Sequence, residues 1–525
     1  MLVLLASRTG VSVGLVAIRG LLRVDASGLS RPTTDHVLPR RLAGEDSEPE
    51  GTSQRITLHD RRSSSARLRK KGARLASAQK IRARVERGRE PRSSSSTIPI
   101  QSRGRHMNTS AQRPSEAGSV TLELDARETE WEFAPGQTVR GFTYNGQVPG
   151  PLIEANVGDT IEVRLTNNLP QATTIHWHGI RVPAEMDGTE AVQPPVEPGE
   201  RFEYRFVVPD AGTFWYHSHT NETEQLERGL YGALIVRGSG EPSFDGERVL
   251  LLDDLKLDAD GEVAPFGDEH EHHAGREGDV RLVNGRQEPE LEIPGGTIER
   301  WCVVNAANTR FVRLSIDGRS FMIIGTDGGL LPEPLSATEA LVTPGERIDL
   351  AVGPFEEGER LAIEALPYDR GKGETGRERF ATLRVGPAAA SQARIPATFR
   401  QIEPLVAVDV EPTRTIDLKA LMHGGHHQRA DPVRVGDLQV WDLVNETGQD
   451  HPFHLHGFFF QIVQEDGEPA RVLAWKDTVN VPRKSSARIA WLPDDRQGEW
   501  MYHCHILEHH AMGMMAHFEV VPEHR

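Results

Sequence analysis

Cysteine is nearly absent from this chain of 525 residues, which has only Cys302 and Cys504. Two thiols exclude a disulfide framework as the source of stability. Cys302, inside the apolar run Trp301-Cys302-Val303-Val304, reads as a buried structural thiol. No apolar stretch is long enough to cross a bilayer, so no membrane association is expected. Residues 2–22 are apolar but broken by Arg8 and Arg19, and they lack the basic start and small-residue cleavage site of an export signal. Arg40-Arg41 is followed by no apolar segment that would complete a twin-arginine signal. Cytoplasmic residence is therefore expected, with periplasmic or extracellular delivery by another route left open. A net basic charge is also missing beyond the start. Residues 1–106 hold 22 Lys+Arg against 9 Asp+Glu, which leaves a net of −30 on the remainder within a total of −17. The folded part is thus not expected to bind nucleic acid. The first segment, with Ser93-Ser94-Ser95-Ser96 and Arg67-Leu68-Arg69-Lys70-Lys71, is poor in core-forming residues. Residues 1–118 are read as a disordered basic tail, and Met107 is the favoured start of translation.

What the chain does contain is a pattern of histidines. His503-Cys504-His505-Ile506-Leu507-Glu508-His509, with Met514 five residues on, brings a thiolate, imidazoles and a thioether together. Two imidazoles, one Cys and a weak axial Met form the ligand set of a blue copper site. On an extended strand alternate side chains face opposite ways, so Cys504 would face one side while His503 and His505 face the other. Three further groups occur: His176-Trp177-His178, His217-Ser218-His219 and His451-Pro452-Phe453-His454-Leu455-His456. If the blue site takes His451, Cys504, His509 and Met514, eight histidines remain in four i, i+2 pairs. Eight imidazoles suit a three-copper cluster that shares them as two, three and three.

These four motifs, in this order, resemble the multicopper oxidases, the family of laccases, bilirubin oxidases and bacterial cuprous oxidases. The similarity runs from about Ser119 to the C-terminus. It implies four copper ions per chain, with His176 and His454 on the type 2 ion. The type 3 pair would take His178, His217 and His505 on one ion and His219, His456 and His503 on the other. It implies dioxygen as electron acceptor and small reducing substrates as donors: phenols, aromatic amines or low-valent metal ions. Met514 as axial ligand implies a modest potential. Asp187 matches a family position that delivers protons, although Asp187-Gly188 is also a plain turn signal. At His510 many relatives carry a Glu credited with proton relay. Either His510 takes that task or Asp187 and Glu508 carry more of it. A dedicated cuprous, ferrous or manganous oxidase is the alternative, although the Met-rich insertion of cuprous oxidases is missing. A non-catalytic scaffold of the same fold and a copper nitrite reductase are the remaining rivals.

The rest of the chain reads as all-β. Thr160–Leu165 and Arg201–Phe206 alternate polar and apolar residues, as half-buried strands do, and Asn145-Gly146, Asp317-Gly318 and Pro344-Gly345 punctuate them. Blocks recur. Val157-Gly158-Asp159 leads through Asn167 to His176-Trp177-His178-Gly179, and Val435-Gly436-Asp437 leads through Asn445 to His454-Leu455-His456-Gly457. A middle copy, Pro294-Gly295-Gly296 to Trp301 and Asn305, lacks paired histidines. Three consecutive cupredoxin-like Greek-key domains are expected, at 119–240, 247–388 and 400–525, the middle one a spacer. Ser218 stands where Cys504 stands in the third copy, so one blue site is expected. Cluster ligands divide four and four, which places the cluster between the first and third domains. His270, His272 and His273, and likewise His423, His426 and His427, read as solvated loops that could capture surface metal.

Overall fold

The computed structural model describes residues 118–425 and 428–523. The expected tail therefore lies, save for Gly118, outside the described residues, as do His426 and His427. Among the described residues strands dominate, and four short α-helices interrupt them: α1 (Glu222–Glu227), α2 (Glu269–Ala274), α3 (Leu418–His423) and α4 (Leu507–Ala511). No helix among the described residues is long and apolar enough to cross a membrane.

The strands form three consecutive cupredoxin-like sandwiches. Two four-stranded sheets use Ser119–Arg237, a seven- and a five-stranded sheet use Gly246–Ala388, and two five-stranded sheets use Arg414–Val521. Alternation decides which face turns inward. Along Thr160–Asn168, Ile161, Val163 and Leu165 are buried and pair antiparallel with Arg201–Val207, whose Tyr204 and Phe206 are buried beside them. Each sandwich encloses one apolar core, around Trp177, Trp301 and Trp441 respectively.

The repeat read in the sequence has a hydrogen-bond counterpart. Asn167, Asn305 and Asn445 are all fully buried at the end of equivalent strands. Asn167 donates to Gln171 O and Val196 O and accepts from Leu169 N. Asn305 donates to Arg310 O and Val342 O and accepts from Ala307 N. Asn445 donates to Gln449 O and Val481 O and accepts from Thr447 N. In each copy one amide stitches the strand's exit to two segments, which fixes the loop that follows. In the outer copies that loop leads into the first histidine pair.

The middle sandwich is more than a spacer. Its Arg347 is fully buried and donates to Thr213 O of the first sandwich and to the Asp477 carboxylate of the third. Its Asn308 and Thr309 hold Glu508, and its α2 packs on α4.

Replacing Asn305 by Ala removes three buried hydrogen bonds in the sandwich that holds none of the histidine pairs. A loss of about 2–4 kcal/mol is expected, seen as a fall of several degrees in the thermal midpoint of the copper-free protein. An unchanged midpoint would contradict the stitching role.

Candidate metal centre

The two histidine-bearing sandwiches present their ligands on matching pairs of strands. His176–His178 lies antiparallel to Gly212–His217, with His176 opposite His217. His451–Leu455 lies antiparallel to Gly498–Cys504, with His454 opposite His503 and Phe453 opposite Cys504. Strand alternation then separates Cys504 from its flanking imidazoles. Cys504 Sγ faces His451 Nδ1 at 3.5 Å and His509 Nδ1 at 3.7 Å. His503 and His505 point to the other side, where their rings stand 5.5 Å apart among the remaining six. Met514 is fully buried in the core that surrounds Cys504, and its backbone O accepts from Cys504 N.

All eight cluster imidazoles are buried, four from each outer sandwich. They meet as two stacked pairs across the interface: His176 on His456 at 3.9 Å and His178 on His454 at 3.8 Å between ring centres. A symmetrical pair of aspartates holds these stacks. The backbone O of Asp187 accepts from Nδ1 of His176 in its own sandwich, and its Oδ2 accepts from Nδ1 of His456 in the other. The backbone O of Asp477 accepts from Nδ1 of His454, and its Oδ1 lies 3.2 Å from Nε2 of His178 across the interface. Burial would raise the Asp477 carboxyl, yet the Arg347 guanidinium holds it well below the usual carboxylate range. Gly188 makes the first arrangement possible. Its φ is +86°, and a Cβ there would lie 1.9 Å from Ile175 O, so the Asp187 turn can press against the strand of His176 only with glycine.

These partners fix which nitrogen is free. A carbonyl can only accept, so Nδ1 of His176, His217, His454 and His503, each against a backbone oxygen, carries the hydrogen. Among the described residues the opposite nitrogens of His176, His217 and His454 have no hydrogen-bond partner, nor has Nδ1 of His178. His456 Nε2 and His503 Nε2 face each other at 3.0 Å. Both rings hold their proton on Nδ1, so two lone pairs confront one another. Buried lone pairs that converge without a donor are the donor set of a cation. Ligand atoms of His219, His456 and His503 fall within 4.8 Å of one another, as do those of His451, Cys504 and His509. The rings of His178, His217 and His505 are 5.0 to 5.7 Å apart pairwise. At the Cys504 site the outer nitrogens are likewise occupied. His451 Nε2 donates to Thr447 Oγ1 at 2.8 Å, and His509 Nε2 donates to His273 O at 3.3 Å.

Imidazole and thiolate are ligands that copper favours, and the protonation states agree. Burial, reinforced in most cases by neighbouring imidazoles, holds His178, His217, His219, His454, His456, His503, His505 and His509 below the ordinary value. Burial, with Arg370, lowers His451 to about 3. Neutral imidazole is the form that binds metal. Burial pushes the Cys504 thiol up to about 12, so an incoming ion has to displace its proton.

The first copy shows what stands at the position equivalent to the Cys504 site. Ser218 Oγ and Thr173 Oγ1 both donate to Gln225 Oε1, at 2.5 and 2.7 Å. Thr173 stands three residues before His176, as His451 stands before His454. Hydroxyls and an amide thus close the pocket that a thiolate and an imidazole form in the third copy.

Of the three residues read as proton carriers, two touch the cluster. Asp187 does so as described. His510 pairs through Nδ1 with Glu222, its ring lies 4.3 Å from that of His503, and with His219 it lines a cavity of about 600 Å³. Glu508 instead turns to the middle sandwich, accepting from Thr309 Oγ1 at 2.7 Å and Asn308 Nδ2 at 3.3 Å. Burial raises its carboxyl. Sequence reasoning missed Asp477, Arg347 and Glu222.

The family model described as multicopper oxidase matches residues 125–241, and a second with the same description matches 411–524. The chain is 32% identical over 459 residues to multicopper oxidase MmcO of Mycobacterium tuberculosis, covering 78% of this chain and 89% of that protein. It is 27% identical over 490 residues to a laccase of Bacillus subtilis, covering 77% and 94%. Among solved structures, a multicopper oxidase from Campylobacter jejuni described as a metallo-oxidase superposes with a TM-score of 0.69 at 29% identity, covering 78% and 93%.

The depressed histidines set a pH dependence for the copper-free protein. Below about 6.5 the unfolded chain binds protons that the folded cluster refuses, so stability falls with pH by up to about 1.4 kcal/mol per unit per histidine. Bound copper should suppress this loss. Denaturant melts of copper-free and copper-loaded protein between pH 7 and 5 would show it, and a flat copper-free profile would count against the assigned burial.

Proposed function

The chain belongs to the multicopper oxidases, and from that footing we propose that it oxidises small donors one electron at a time beside Cys504 and delivers the electrons to dioxygen at the eight-histidine cluster. Copper at these sites supplies one-electron acceptance next to the thiolate and four-electron reduction of dioxygen to water among the histidines. His451, Cys504, His509 and Met514 are assigned to the type 1 ion, and His176 and His454 to type 2. His178, His217 and His505 take one type 3 ion, and His219, His456 and His503 the other. The donors proposed are phenols, aromatic amines or low-valent metal ions, in a laccase-like reaction.

One observation carries this reading. Cys504 faces His451 and His509, while its two covalent neighbours face the other cluster. A single peptide therefore spans both centres, and no diffusing carrier is needed between them. All eight imidazoles are buried, and the carbonyls and carboxylates behind His176, His178, His217, His454, His456 and His503 hold those six rings in one tautomer. Asp187 bridges the two sandwiches against His176 and His456 and is proposed to hold the proton that oxygen reduction consumes. His510, paired with Glu222 on the cavity wall, is proposed to receive protons from solvent. Glu508 is proposed to act as a positioning residue that ties α4 to the middle sandwich, since its carboxylate is engaged there.

Reconstitution tests the reading. Copper-loaded protein should show the blue thiolate band and consume oxygen with a phenol, and Cys504→Ser should abolish both. A fully loaded protein that is neither blue nor consumes oxygen with any donor would overturn it.

Asp187→Ala separates proton supply from electron entry. Oxygen uptake at saturating donor should slow by at least about tenfold more than anaerobic bleaching of the blue band. Equal effects on the two rates would remove the proton role.

A further inference from the structure

Both imidazoles beside Cys504 are fully buried, so a donor has to pass its electron through whatever covers them. Over His509 the cover is α2 of the middle sandwich. His509 Nε2 donates to the backbone O of His273 at 3.3 Å, and Gln449 Nε2 donates to the same oxygen at 3.0 Å. This helix is anchored. Its inward Glu271 is buried and accepts from Arg276 Nη1 at 2.8 Å as well as from Lys256. Arg276 in turn reaches Glu227 of the first sandwich and the carbonyls of Ala264 and Pro265. Asp268 caps the first turn by accepting from His270 N at 2.7 Å.

With Glu271 turned inward, Glu269, His270 and His273 are exposed on the outer side. His270 and His273 are three apart on a helix, which makes them surface neighbours with Cβ atoms about 5–6 Å apart. Glu269 stands four residues before His273 and adds a carboxylate to the same turn. Two imidazoles and a carboxylate suit copper or iron. The approach is acidic: Asp258, Asp260, Glu262 and Asp268 are all exposed in the preceding segment, which raises the local concentration of cations. Arg370, which touches the helix at Ala274 O, is paired with Glu277 at 3.1 Å. The aromatic alternative is less well placed. A cavity of about 250 Å³ bounded by Phe311, Tyr368 and Lys372 has none of His451, Cys504 and His509 in its wall.

We propose that the outer face of α2 is the docking site of a reduced transition-metal ion, cuprous or ferrous, whose electron enters through the main chain of His273 to His509. The inference rests on the oxidase reading and narrows its donor. Each ion loses one electron and leaves as the cupric or ferric ion. Four such ions, one dioxygen and four protons give two waters.

The test compares copper-loaded protein with a variant carrying His270→Ala and His273→Ala, changes that keep good helix formers on α2. Oxygen uptake gives kcat/KM for ferrous ion, for cuprous ion and for a dimethoxyphenol. The ratio of the metal value to the phenol value should fall by at least about tenfold, chiefly through KM, and the arm that falls identifies the ion. Silver(I), which is redox-inert here, should bind calorimetrically to the unaltered loaded protein at a site that the variant lacks. An unchanged ratio, or the same silver isotherm in both proteins, would overturn the docking site while phenol-driven oxygen uptake kept the oxidase reading intact. No oxygen uptake with any donor in the unaltered protein would instead sink that reading and the inference with it.

Discussion

Eight buried imidazoles are pressed into one interface with their lone pairs turned toward one another, and the rest of the structure follows from holding them there. His456 and His503 present facing nitrogens at 3.0 Å, an arrangement that no donor among the described residues relieves. Burial disfavours protonation of His178, His217, His219, His454, His456, His503 and His505, and hydrogen bonds from behind hold six of the eight rings. The outer sandwiches contribute four rings each, so their mutual docking and the occupation of the site are one equilibrium. A protein of this design holds its ends together through its cofactor.

The second requirement is a frame that resists the repulsion while the site is being filled. Arg347 supplies it by binding three sandwiches at one fully buried point, through Thr213 O, Asp327 O and the Asp477 carboxylate. A buried guanidinium of this kind is costly unless every partner is in place, and here the partner carboxylate also orients His178. The middle sandwich, which carries none of the paired histidines, is therefore tied to the cluster through electrostatics. It also covers His509 and anchors α4, so it touches each end of the proposed electron path.

The ligand strands were legible because metal chemistry and strand geometry leave a dense local mark. A Cys between two histidines, and HxH pairs at matching points of a repeat, can be read without knowing how the chain folds. The groups that orient the ligands leave no such mark. Asp187 lies eleven residues past His176, and the same step from His454 lands on Glu465, which is exposed. Its structural counterpart, Asp477, lies twenty-three residues past His454, so the symmetry exists in space and is hidden along the chain. The α2 segment was misjudged for the opposite reason. Its acidic, histidine-rich composition reads as a solvated loop, and only its packing against α4 brings it beside His509. Glu508 sits among ligands in sequence and faces away from them in space.

The hydroxyl plug formed by Thr173, Ser218 and Gln225 bears on timing. With no thiolate in the first sandwich, Cys504 is the one proposed inlet, and four charges have to queue at it for every molecule of oxygen consumed. The interval between the first arrival and the last is set by how often donors call, which the protein does not control. What it can control is leakage during the wait. The depth at which the eight rings are sealed is thus the counterpart of the missing second door: a chamber filled in single file has to stay shut for as long as its slowest visitor takes to come.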